Sequence, residues 1–567
     1  MLEQLTLMSR KILIVLAIAM LLIPLLILAQ QATEHVDLKV MHQIKNAEFG
    51  GGGGFGGGGG GGARGGSQVM NTMYYLTDRY GPRLVNSPQF RAAGEWAVGQ
   101  LKEWGISNAH LEKWATTGGR GGAIPSWEMK GYTGAMVEPT FMPIIGYPQA
   151  WSGGTNGPVT GEAVLAQVQT PDDLKKWTGK LKGKIVLIAD PANLTLPFPT
   201  NPLAHRYTDQ ELTDLIPDVI PGAAGGRGGR GGRGGQNAAL AAMTPEERQA
   251  FQQKLASFFK DEGVLLTITA NSRGESGTVF ASNGSPRTGD PTKNLPSIAI
   301  TAENYNRIAR LLEHSVPVKL SFDIKVAFDT SNTDSFNVIA EIPGTTKPNE
   351  IVMVGGHFDS WHMGTGATDN AAGSAVAMEA MRILKSLNLK MDRTVRMGLW
   401  GGEEEGLLGS AAYVKEHFAD PATMKPTTDH NNFAGYFNVD NGTGRIRGIY
   451  LQQNEMCRPI FEQWFAALKD ITPGVITIRN TGGTDHQSFD RVGLPGFQFI
   501  QDPMDYDTRT HHSNMDVYDR IQPQDMEQMA VIEAAFLYNA ATRPEKLPRN
   551  DMPAPAPAGG RGGRGGQ

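Results

Sequence analysis

The sequence predicts an α/β chain. It reads as a mostly parallel, doubly wound sheet with an inserted β-rich domain and glycine-rich disordered linkers. Three observations predict this. From Phe336 onward short apolar strands alternate with helical stretches, the pattern of a parallel sheet covered on both faces. Between residues 136 and 330 the chain changes to short β-rich runs set among turn-rich segments. Three tracts, 50–66, 222–235 and 553–567, are dominated by glycine, arginine, proline and alanine, too poor in large apolar side chains to form a core. At 567 residues the chain is also too long for a single core.

The elements follow in chain order. Arg10 and Lys11 precede an unbroken apolar run from Ile12 to Ala29, then small and polar residues. That is signal-peptide order. Uncleaved, the 18-residue run would also be long enough to anchor the chain. Either way the remainder is expected to be exported, periplasmic or secreted, meeting a membrane only through an uncleaved N-terminal segment. Residues 1–32 are therefore read as signal peptide or anchor, and 33–67 as a Gly-rich linker. Residues 68–135 read as helices packing on the main domain. Val69, Met73, Leu76 and Tyr80 recur at helical spacing, Gly81-Pro82-Arg83 breaks the pattern, and a second helix runs from Gln89 to Trp104 before Gly105.

The inserted domain, 136–330, carries strands at 183–188, 263–268 and 297–300 and a polar helix at 244–260, with a disordered Arg-Gly-Gly insert at 222–236. The main domain, 331–547, has six strands: FNVIAEI, EIVMVGGH, RTVRMGLW, FAGYFNVD, GVITIRN and GFQFIQ. A Pro/Gly/Arg tail, 548–567, closes the chain. Net charge is −5, which does not indicate a basic nucleic-acid surface. Arg-Gly-Gly repeats can bind single-stranded RNA. Here few aromatics are interleaved and an export signal precedes them, so they read as solvated linker and no nucleic-acid partner is expected. A homodimer is left open. The single cysteine, Cys457, rules out an intrachain disulfide, and any zinc must be held by His, Asp and Glu.

The chemistry lies in five segments of the main domain: GGHFDSW, GATDNAAG, WGGEEEGLLGS, NVDNGTG and THHSNMD. Their side chains are those that two neighbouring zinc ions take. Open α/β sheets place sites at the carboxyl ends of strands, and His357, Glu403, Glu404 and Asp440 each follow a predicted strand. Asp359 is two residues past His357 and can orient its imidazole. Asp369 opens a helix, where a carboxylate is an N-cap or a shared metal ligand. Glu403 and Glu404 are pinned between glycine-flanked elements. One would bind metal while its neighbour accepts a proton from the attacking water. Asp440 is a turn residue or a ligand. His511 and His512 are adjacent, and in a loop only one of them is expected to face a metal. Asp485 and His486, with His511, are read as lining the substrate pocket.

This pattern resembles the M28 metallopeptidases, a family of cocatalytic zinc exopeptidases. The shared residues are His357-x-Asp359, Asp369, Glu403-Glu404-x-Gly-Leu-x-Gly-Ser, a later Asp, and His-Ser-x-x-Asp near the end. The resemblance implies two zinc ions per chain. His357 and Asp440 would bind one, Glu404 and His512 the other. Asp369 would bridge them and Glu403 would be the general base. His512 is preferred because it stands four residues before Asp516, the family's spacing. KGKIVL resembles the protease-associated (PA) domain inserted in larger members, and GGHFDSW resembles the carboxypeptidase Q branch. The resemblance departs from the family at Val517, where the family usually has Thr, and in the Arg-Gly-Gly insert. The implied function is exopeptidase cleavage of a peptide or dipeptide, as aminopeptidase or carboxypeptidase. Two rivals are a non-catalytic binding module and a single-zinc acyltransferase or cyclase.

The Gly-rich tail contains no proposed ligand. Deleting residues 553–567 is expected to leave peptidase specific activity within about twofold, since loss of a flexible terminal segment removes few contacts. A large fall with unchanged thermal unfolding would show that the tail serves the site.

Overall fold

The computed structural model describes residues 34–50, 66–115, 124–168, 170–194, 202–216, 243–271, 273–280, 284, 285, 287 and 290–554. The signal or anchor segment, the glycine tract 51–65, the Arg-Gly-Gly insert and the tail beyond 554 lie outside the described residues.

Eight strands build the main sheet: β1 Ser107–Trp114, β2 Ser335–Ile342, β3 Lys347–His357, β4 Arg393–Trp400, β5 Phe433–Asn438, β6 Ile446–Tyr450, β7 Val475–Thr477 and β8 Gly496–Gln501. Their spatial order is β1-β2-β4-β3-β5-β8-β6-β7. The centre, β4-β3-β5-β8, is parallel. The pairs β1/β2, β2/β4 and β8/β6 are antiparallel. The pair β6/β7 is parallel as well, so the sheet is mostly parallel, as expected, with antiparallel pairs toward its edges. Two strands escaped the sequence reading. β1 is an edge strand whose burial does not alternate, and β6 is five residues long with an arginine inside it.

The central strands are near-continuous apolar runs because both of their faces are covered. On one face Val352 and Val354 of β3 and Val395, Met397 and Leu399 of β4 join the core under helices α3 Ala372–Ser386 and α5 Pro523–Thr542. On the other, Met353, Trp400 and Tyr436 pack with Tyr413 and Val414 of α4 Leu408–His417. Among the described residues, no helix is long and apolar enough to cross a membrane.

Two segments read as linker or tail are structured. Leu38–Phe49 forms a helix capped by Asp37, with Val40, Met41 and Ile44 buried in the main core. Residues 548–554 lie along the main domain. There Arg549 donates to the carbonyls of His430 and Phe433, and Asn550 donates to Gln452.

A second eight-stranded sheet occupies the inserted region. Its first and last strands in chain order, Ser126–Glu138 and Lys319–Asp329, form a long antiparallel ribbon, so the sheet begins ten residues before the boundary read at 136. Its core is separate, built around Ile185, Leu187, Leu266, Ile268, Ile298 and Leu320. The point of insertion explains why the main sheet tolerates it. Trp114, the last residue of β1, pairs with Ser335, the first of β2. The insert thus enters and leaves at one spot, as a large loop on a hairpin.

Close packing at the sheet centre yields a test. A Cβ on Gly355 of β3 would lie 1.9 Å from the carbonyl oxygen of Gly398 on β4. Gly355→Ala should cost about 2 kcal/mol or more, read as a lowered melting temperature. Gly99→Ala meets nothing within 4 Å and should be neutral or slightly stabilising in its helix. Equal melting temperatures for the two variants would refute the packing argument.

Candidate metal centre

Three neighbouring parallel strands deliver the first residues of the centre. His357 ends β3, Glu403 and Glu404 follow β4, and Asp440 follows β5. Asp369 comes from the turn before α3, and His512 from the loop before α5.

Asp369 stands in the middle. Its Oδ1 lies 3.1 Å from His357 Nε2, which is also 3.2 Å from Asp440 Oδ1. Its Oδ2 lies 3.2 Å from His512 Nε2, which is 2.8 Å from Glu404 Oε2. The two oxygens of one carboxylate thus face two separate sets, each of one histidine and one further carboxylate. The N-cap expectation for Asp369 is corrected by its neighbour. Asn370 Oδ1 accepts from Gly373 N at the helix start, leaving both Asp369 oxygens for the histidines.

The electrostatics describe a site short of positive charge. Glu403 and Glu404 are buried and carry carboxyls held well above the usual range. Burial is the first cause for each, followed by neighbouring carboxylates such as Asp440 and Asp369. Burial opposes ionisation of Asp369 too, but the His357 hydrogen bond and the surrounding histidines pull it below its ordinary value. Asp369 Oδ2 and Glu404 Oε1 are buried without a hydrogen-bond donor. Histidine nitrogens and carboxylate oxygens converging on unsatisfied acceptors fit a hard-to-borderline divalent cation such as zinc.

Around this set lies a supporting layer. Asp359 acts differently from its expected role. Its carboxylate is 3.9 Å from His357 Nδ1, and that nitrogen instead bonds the Asp359 backbone carbonyl at 3.0 Å. The carboxylate accepts from the backbone amides of Glu403 and Glu404 at 3.1 and 3.3 Å. Asp359 therefore holds the histidine with its main chain and the glutamate loop with its side chain. Glu405, third in that run, is buried, and burial first and Asp359 second hold its carboxyl well above the usual range. Asp516 accepts from the Thr368 amide and hydroxyl and from the Asp369 amide.

Arg83 was read only as part of a helix break. It is fully buried, and its guanidinium donates to the carbonyls of Leu76, Phe358, Thr365 and Gly366. It ties the His357 segment to the Asp369 segment. No local pattern announces a residue that acts through backbone atoms nearly 300 positions away.

The remaining expectations divide. Asp485 is fully buried, and burial pushes its carboxyl up to about 8, with Asp440 and Asp359 adding to the rise. It lies behind the centre among carboxylates. His486 is not a pocket residue. It is fully buried, with Nε2 facing Gln452 Nε2 and the Thr481 carbonyl, because the short helix it begins turns it into the core. His511 and His512 do not point apart. Their ring centroids are 3.9 Å apart and both face Asp369, at 3.9 Å for His511 and 3.2 Å for His512. His512 adopts φ 63°, a left-handed conformation uncommon outside glycine but visited by histidine more than by most residues, and its ring lies beside that of its neighbour. Only His512 also reaches Glu404. His511 stacks on Tyr506 at 4.7 Å.

Residues 337–537 match the model of peptidase family M28. The chain is similar to carboxypeptidase Q of Mus musculus, 27% identical over 482 residues, which cover 84% of this chain and 86% of the relative. Its fold is similar to the crystal structure of a peptidase M28 precursor from Shewanella amazonensis. That likeness has a TM-score of 0.61 and 22% identity, covering 91% of this chain and 99% of the other. A zinc aminopeptidase from Bacillus subtilis shares the fold at TM-score 0.52 and 19% identity, covering 85% and 96%.

Burial pushes two nearby histidines, His362 and His486, from 6.5 to about 4. The unfolded chain binds more protons than the folded one between these values, so stability is full above about pH 6.5 and is lost as pH falls toward 4. Each ring withdraws on the order of 3 kcal/mol over that window. Urea midpoints at pH 7, 6 and 5 should fall with acid, and His486→Gln should make the fall shallower. An unchanged slope would exclude His486 as a source.

Proposed function

We propose that this chain is an exported, zinc-dependent exopeptidase, a reading supported by the match of residues 337–537 to the model of peptidase family M28 and by the likeness to carboxypeptidase Q. The observation that carries the reading is the split of Asp369, one oxygen toward His357 and Asp440 and the other toward His512 and Glu404. That arrangement suits two ions sharing a carboxylate. His357 and Asp440 would hold one, His512 and Glu404 the other. When bound, zinc supplies Lewis acidity to the scissile carbonyl and to the attacking water.

The chain's own residues do the rest. Glu403 is kept out of both ligand sets and is buried beside them. Burial and its carboxylate neighbours raise its basicity, which suits a group that takes a proton from water and returns it to the departing amine. The carbon–nitrogen bond breaks as that proton reaches the nitrogen. Asp359 keeps Glu403 and Glu404 in register through their amides, and Asp516 and Arg83 fix the backbone on either side of Asp369. Trp361 stands between His512 and Trp151 of the inserted domain, with ring centroids 6.1 Å from each. We read that insert as PA-like on its KGKIVL segment, and export on the N-terminal apolar run.

Metal analysis and a panel of dipeptides and aminoacyl-anilides test the proposal. Two zinc per chain with hydrolysis is the expected result. One zinc would favour an acyl-transfer chemistry, and none with no turnover a binding module. Glu403→Gln should keep metal content and lose about 10²-fold or more in kcat. His512→Ala should lose metal as well as rate, while His511→Ala should retain metal. The assignment fails if His512→Ala still holds two ions and His511→Ala does not.

A further inference from the structure

A second gathering of imidazoles and carboxylates lies at the outer edge of the main sheet, away from the candidate centre. His110 and Glu112 stand two apart on the edge strand β1, so their side chains leave it on the same face. Glu416 and His417 end helix α4, whose last turn reaches that face. One ligand atom from each of Glu112, Glu416 and His417 lies within 4.8 Å of the other two. His417 Nε2 is 2.9 Å from Glu112 Oε1, and His110 Nε2 is 3.8 Å from Glu112 Oε2. One carboxylate again stands between two imidazoles, as Asp369 does in the candidate centre.

Three further features distinguish this set from an ordinary surface ion pair. First, His110 Nδ1 lies 2.7 Å from the Asn108 carbonyl. A carbonyl only accepts, so Nδ1 carries the proton and the neutral ring turns the lone pair of Nε2 toward Glu112. That is the tautomer and the backbone support that metal-binding imidazoles use. Second, the carboxylates lack a fixed cation. Among the described residues no lysine or arginine pairs with Glu112 or Glu416, whose neighbours are the histidines. Arg396, which reaches Tyr413 of α4, is taken by that hydroxyl and by Glu341. Third, the cluster sits at the carboxyl end of α4, where the helix dipole favours positive charge. Two carboxylates and two neutral imidazoles would balance one divalent ion. All four side chains are partly exposed or exposed, so the ion can enter from solvent.

We infer that Glu112, Glu416, His417 and His110 form a further cation site that takes zinc. Imidazole nitrogen with carboxylate oxygen in a set of four suits zinc, whereas calcium takes six to eight oxygens. The ten residues of α4 place this site about 15 Å along the helix from the glutamate loop, so it takes no part in hydrolysis. It would pin two elements together. β1 ends where the insert leaves the main sheet, and α4 begins directly after Glu403, Glu404 and Glu405. The inference does not rest on the peptidase reading.

The test compares tag-free full-length protein with two variants, His110→Asn/His417→Asn, which removes the imidazoles, and Glu112→Gln/Glu416→Gln, which removes the carboxylates. Each is dialysed at about 10 μM free zinc, which fills a site of micromolar affinity, and zinc per chain is measured. Wild type should hold one ion more than either variant, and added zinc should raise its melting temperature more than theirs. Adding the imidazole substitutions to His512→Ala should remove one further ion, so the result stands whatever the candidate centre binds. Equal zinc in wild type and both variants leaves a plain ion pair between His417 and Glu112 and overturns the site. Loss of the ion in the carboxylate variant alone would place it on oxygens, as calcium prefers, and overturns the zinc assignment.

Discussion

Too many carboxylates share too little space at the ends of β3, β4 and β5, and the surrounding structure answers that repulsion. Asp369, Glu403, Glu404, Asp440 and Asp485 are gathered in one low-dielectric layer, where each raises the cost of ionising its neighbours. Burial alone would neutralise them. The imidazoles of His357 and His512 and the buried Arg83 guanidinium offset part of the cost at Asp369. The remaining deficit is what a pair of divalent cations would fill.

Holding such a layer in place requires donors that cannot move away. The site uses backbone for this. Asp359 grips the amides of Glu403 and Glu404, and Asp516 grips those of Thr368 and Asp369. Arg83 spans the carbonyls of Phe358, Thr365 and Gly366. Side chains bonded to main chain leave fewer soft torsions between ligand and scaffold than side chains bonded to each other. The result is a set of ligands held by rigid elements rather than by loop sequence alone.

The insert shows how a second domain is attached without disturbing the first. It leaves the main sheet between two residues that pair, Trp114 and Ser335, and so breaks no ladder. It then returns to the centre at two places. The segment 273–280 joins the histidine loop through Phe280 and Asn514. Residues 203–206 meet the 502–508 stretch through the His205–Met504 bridge and the Arg206–Asp502 ion pair. The loop that carries His511 and His512 is thus clamped from outside its own domain.

The sequence by itself determined the α/β class, the strands that carry the chemistry, and the residue types that gather at their ends. These are local properties: an apolar run specifies a buried strand, and a polar side chain directly after it must emerge at that strand's carboxyl edge. Strand direction at the sheet edges, the helix Leu38–Phe49 and the true work of Asp359 were decided only by tertiary structure. So were the burial of His486, the shared orientation of His511 and His512, and the position of Arg83. Each depends on which atoms the fold brings to a side chain, as with the Arg83 guanidinium and the Phe358 carbonyl, 275 residues apart. Local periodicity says which face a side chain takes, but the partner waiting on that face is supplied by the fold.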